Sequence, residues 1–175
     1  MGGRIAVVVG GLILLIILYS ILKALLANPA FNKTDYLTVL ERQQEMIHLI
    51  TVDITNSNVG TLTPVEQNFV ATANLTLSND QTNTLSLTAK YSDRINPSSL
   101  ANIYSSSVDA AIKSSISTNS LPDEFQSVMQ TQLDDYLTNL KLAYANTRVA
   151  PAKSLLKNEY SNAQLLIKSL NSKAS

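Results

Sequence analysis

From Ile5 to Leu22 the chain runs for 18 residues without a charge, dominated by Val, Leu and Ile. Wound as an α-helix at ~1.5 Å per residue, the run reaches about 27 Å, close to the thickness of a bilayer's hydrocarbon core. Lys23 interrupts it, but a lysine stem can carry its ammonium to the headgroups while Ala24, Leu25, Leu26 and Ala27 add a further turn. Pro29 then stops the helix. The expectation is a transmembrane signal anchor over residues 5–27, in contact with the lipid bilayer, behind a short tail of residues 1–4. A cleaved signal peptide wants a shorter apolar stretch, about 7–15 residues, and a small-x-small site. Cleavage after Ala27 or Ala30 would put Leu25 or Asn28 where a small residue is needed. N-myristoylation fails too, because position 6 is Ala where Ser or Thr is wanted.

The basic flanks are nearly balanced, with Arg4 on one side and Lys23 and Lys33 on the other. A tail this short suits a signal anchor that keeps its N-terminus inside, which places the domain outside the cytoplasm. Composition leans the same way: only 15% of residues are charged, so Ser, Thr and Asn must supply the polar surface. Gly2, Ala6 and Gly10 recur every four residues, a small-xxx-small stripe through which two such helices can pack as a homodimer.

Residues 28–175 make one domain of ordinary size, read as a linker at 28–34, a bundle at 35–172 and a tail at 173–175. Without Arg4 and Lys23 the 13 basic residues become 11 against 13 acidic ones, a net charge of −2. The basic residues are scattered singly, so no nucleic-acid face is expected. The absence of cysteine removes disulfides, zinc–thiolate sites, iron–sulfur clusters and cysteine nucleophiles together. Asn32-Lys33-Thr34 and Asn74-Leu75-Thr76 match the glycosylation sequon, at the frequency an Asn- and Thr-rich chain produces by chance.

Prolines at 29, 64, 97, 122 and 151 divide the domain into helix-sized pieces, each proline opening or preceding a segment. Residues at equal offsets from them do not match, so they do not mark a repeat. A first helix is predicted over Asp35–Ile54 behind a Thr34 cap, with Tyr36, Leu40, Ile47, Ile50 and Ile54 on one face. Thr63-Pro64-Val65-Glu66 combines an N-cap, a first-position proline and a capping-box glutamate. Residues 72–89 read as helix, with a β-hairpin as the alternative, because Asn74–Ser78 and Thr84–Thr88 alternate around Asn79-Asp80. Further helices are predicted over Ser98–Ile116, Asp123–Thr147 and Ala152–Leu170, each with a one-sided apolar stripe. One-sided stripes must bury one another, so the predicted class is all-α: the transmembrane helix followed by an antiparallel bundle of four or five helices.

Few residues can carry chemistry. Glu45-Met46-Ile47-His48 is a Glu-x-x-His step, which sets both side chains on one side of a helix within reach of one metal ion. This step is similar to that of ferritin-like di-iron bundles, which also need a second such step and two further glutamates. His48 is the only histidine and the third segment has no glutamate, so Glu45 and His48 remain weak metal candidates, and no metal or cofactor is expected. Neighbours on a helix point about 100° apart, so Asp134 and Asp135 read as solvated surface. No serine sits in a nucleophile elbow, and Gly60 is the domain's only glycine, which removes glycine-rich phosphate loops. Tyr104, Tyr136, Tyr144 and Tyr160 fall on three successive predicted helices and line a ligand groove if they converge. The expected role is non-enzymatic: a binding or scaffold domain held near a protein partner at the membrane. A ligand-sensing bundle working with a partner, and a ferritin-like metal-binding protein, are the alternatives.

Overall fold

The computed structural model describes residues 31–55, 62–92 and 94–172. The expected anchor at 5–27 and the Gly2, Ala6, Gly10 stripe lie outside the described residues. Within them the chain is helical, with no strand, and no described helix is long and apolar enough to cross a membrane.

Helix α1 spans Lys33–His48 and passes directly into a π-helical turn, Leu49–Ile54. Its cap is Asn32 rather than Thr34. The Asn32 side chain accepts the Thr34 N–H at 3.1 Å, and Asp35 falls in the first turn, where the helix dipole favours an acid. Helix α2, Pro64–Tyr91, starts on the predicted capping box: the Thr63 hydroxyl accepts the Glu66 N–H, and the Glu66 carboxylate accepts the Thr63 N–H.

Residues 72–89 all lie within α2, so the helix reading holds and the hairpin does not. Phe69, Ala73, Leu77, Asp80, Thr84 and Thr88 are buried at steps of three and four, whereas Leu75 is 66% exposed. Hydroxyls that gave the stretch its strand-like alternation bond along the helix instead, Ser86 to the Thr82 carbonyl and Thr88 to the Leu85 carbonyl, each at 2.8 Å.

The single helix expected over 98–116 is two: α3, Pro97–Leu100, and α4, Ser106–Ser117. Serine competes with the helix for its own backbone, and here the Ser105 hydroxyl accepts the Val108 N–H, so Ser105 starts a new helix. Asn119 ends α4 with φ 58°, a left-handed conformation that asparagine tolerates. Ser120 N–H reaches back to the Ser115 carbonyl at 2.9 Å, the six-to-one bond of a Schellman cap. Helices α5, Leu121–Asn146, and α6, Ala150–Asn171, follow, and a proline stands in the first two positions of α2, α3, α5 and α6.

The four long helices form a closed ring of neighbours, α1 against α2 and α5, and α6 against α5 and α2. Each adjacent pair is antiparallel. Phe31 stacks near Tyr91 while Gln44 meets Gln81; Asp35 meets Asn146 while Gln43 meets Tyr136. Asp80 meets Asn162 while Thr84 meets Glu159; Gln130 meets Asn171 while Tyr136 meets Glu159. Helices α2 and α5 therefore run the same way, and the chain between them must return along the bundle. That crossover carries α3, which touches α1, and α4, which packs on α5 and on the π-helical turn. The core between the helices is built from large side chains at 0% exposure, among them Tyr36, Met46, Phe125, Met129 and Leu133.

Thr63→Ala should lower stability by about 1 kcal/mol, the usual worth of an N-cap. Thr82→Ala, on the exposed side of the same helix, should be neutral or slightly stabilising. Urea denaturation of the two variants checks this, and equal losses would mean that the capping box contributes nothing.

Candidate functional site

Among the described residues, three of the places where polar or aromatic side chains meet bear on function. The first is the centre of the bundle, where each long helix contributes one residue. Glu159 of α6 is fully buried; its carboxyl accepts the Thr84 hydroxyl from α2 at 2.6 Å and the Tyr136 hydroxyl from α5 at 3.2 Å. Gln43 of α1 donates to the Tyr136 oxygen at 2.7 Å and to Glu159 at 3.4 Å. One turn away Asp80 accepts Asn162 at 3.0 Å. Burial pushes the Glu159 carboxyl up to about 8; the Thr84 bond opposes the shift, the Asp80 charge adds to it, and the Tyr136 bond opposes it. Burial likewise raises Asp80 to about 6, against the bond from Asn162. A buried carboxyl bonded by side chains of the other three long helices favours one register of the bundle.

The second place is the top of α1, where His48 meets the π-helical turn and the crossover. The His48 Nε2 stands 3.8 Å from an Asp109 carboxylate oxygen of α4, and one ligand atom each from His48, Asp53 and Asp109 all lie within 4.8 Å of one another. Asp53, in the π-helical turn, is 6% exposed and has a side-chain hydrogen bond with Asp109. Burial first, then that bond and the Asp109 charge, raise Asp53 to about 6, against the pull of His48 and Lys113. The crevice around them is also lined by Glu45, Ser105 and Gln132. Tyr104 of the crossover stacks on the His48 ring with centroids 5.0 Å apart.

Of the two residues singled out in the sequence, His48 belongs to this cluster. Glu45 lines the same crevice, but its carboxylate is held by Arg42 at 2.6 Å. Both are partly buried rather than exposed. Asp53, Asp109 and Gln132 were missed. Asp53 had a signal: it stands between Val52 and Ile54 beside the apolar face of its helix, where a charge is costly without a partner. Asp134 and Asp135 are exposed, as expected.

The third place is a groove of about 320 Å³ between α5 and α6, lined by Leu140, Lys141, Tyr144, Leu156, Lys157 and Tyr160. Lys141 lies over the Tyr160 ring and Lys153 over the Tyr144 ring, at 5.5 and 5.0 Å. The four tyrosines thus do not converge: Tyr144 and Tyr160 share the groove, Tyr136 is in the central network and Tyr104 is on His48. No family model, curated protein or solved structure matches the chain.

The pH dependence of stability follows from the buried acids. A carboxyl whose folded pKa is raised stabilises fully below its unfolded pKa, near 4, and that contribution is lost as the pH climbs to its folded pKa. Asp53 and Asp80 act between about pH 4 and 6, whereas from 6 to 8 the loss belongs to Glu159, at about 1.4 kcal/mol per pH unit. Urea midpoints measured from pH 5 to 9 should fall towards pH 8 in the native chain. In Glu159→Gln the slope between pH 6 and 8 should vanish, and an unchanged slope would mean that Glu159 is ionised at neutral pH.

Proposed function

We propose that this chain is a membrane-anchored helical binding or scaffold protein, with its domain on the extracytoplasmic side and no catalysis of its own. The observation that carries this reading is the charge-free run Ile5–Leu22, set ahead of a compact helical unit that begins at Phe31. An anchor of this kind tethers the unit and raises its effective concentration near a protein partner in the same membrane. The open groove between α5 and α6 supports a binding role. It pairs tyrosine and leucine surface with lysine ammonium groups, a mixture that suits contact with a partner's apolar and acidic side chains. The same groove favours a second reading, a ligand-sensing bundle that passes its signal to a partner protein.

Protease protection of a C-terminally tagged chain in intact cells, with a cytosolic control protein, tests the placement. The tag should be digested from outside while the control survives. A tag that is lost only after the cells are broken places the domain in the cytoplasm and overturns the extracytoplasmic reading.

A further inference from the structure

We propose that the crevice between the end of α1, the π-helical turn and α4 is a binding site for one divalent transition-metal ion, of the Zn²⁺ or Mn²⁺ class, held by His48, Asp53 and Asp109. The donor set is one imidazole and two carboxylates, which these ions accept and which leaves coordination positions for water or a further oxygen. The mutual 4.8 Å limit on the three ligand atoms matches an ion with bonds of about 2.0–2.2 Å after a contraction of less than ~1 Å.

A second observation points to a ligand independently of the acidic cluster. Gln132 of α5 is 8% exposed and lines the same crevice, and its buried side-chain oxygen has no hydrogen-bond partner among the described residues. An unpaired buried amide oxygen is costly, and a cation's bound water in the crevice would supply the donor.

Charge balance favours the ion as well. The two carboxylates of Asp53 and Asp109 together match the charge of one dication. The ammonium of Lys113 acts against the cation at Asp53, the opposing charge that binding must overcome.

The backbone puts these donors together for a reason the sequence alone does not give. Asp53 follows His48 by five residues and lies within the wider π-helical turn that His48 precedes. Turns of this kind are rare in proteins and tend to sit at functional positions. Asp109 arrives from the crossover, so the ion would pin α4 to the end of α1.

Because His48 is the only histidine, its ring resonances report on the site without any substitution. The full chain, isotopically labelled, prepared in detergent micelles with a histidine-free tag and stripped with chelator, is titrated with Zn²⁺ and separately with Mn²⁺. With Zn²⁺ the His48 ring signals should shift and saturate at one equivalent, with Mn²⁺ they should broaden, and the melting temperature should rise by about 5 °C. Asp109→Asn and His48→Gln should weaken binding on the order of 100-fold, and Asp134→Asn, at an exposed acid outside the crevice, should leave it unchanged. Ring signals that neither ion moves at tenfold excess overturn the proposal. So does binding that survives both substitutions in variants whose circular dichroism is native.

Discussion

Four side chains, one from each long helix, meet at the Glu159 carboxyl, and the alignment of the bundle depends on that meeting. Apolar stripes tolerate sliding, because one leucine replaces another at little cost. A carboxyl that needs the Thr84 and Tyr136 hydroxyls within 3.2 Å tolerates none, since a shift of one helix by a turn leaves a buried polar group without partners at about 1–3 kcal/mol or more. Gln43, which bonds both Tyr136 and Glu159, extends the same constraint to α1.

The helical class was legible because its signals are local. The capping box at Thr63–Glu66, the prolines at 64, 97, 122 and 151 and the stripes of α5 and α6 each follow from residues within a turn or two of one another. Two local competitions went differently: Asn32 in place of Thr34 caps α1, and Ser105 divides the third segment. Both are contests between short polar side chains for the same backbone groups, which a stripe of apolar residues does not decide. The central network was illegible for another reason. Glu159 sits between Leu156 and Ala163 on an apolar face, which marks it as a charge out of place, but its partners are 23, 75 and 116 residues away. Sequence shows the anomaly and not what resolves it.

The polar surroundings of His48 follow the same logic. Glu45 was the partner that helical spacing suggested; Asp53 and Asp109 are the ones the fold delivers, the first across a π-helical turn and the second from the crossover. Local periodicity nominates neighbours along one helix, whereas chemistry in a bundle is assembled between helices. The groove between α5 and α6 repeats the point, since only two of the four candidate tyrosines face it.

The crossover also divides the chain's path to the native state. Helices α1 and α2 on one side of it, and α5 and α6 on the other, each pair with a sequence neighbour, so each pair gains its contacts at low cost in loop entropy. The Gln43–Tyr136 bond spans 93 residues and the Gln43–Glu159 bond 116, so the central network closes only when the two pairs dock. The two hairpins thus carry the local contacts, and their docking, at which the Glu159 carboxyl must lose its water, carries the long-range ones.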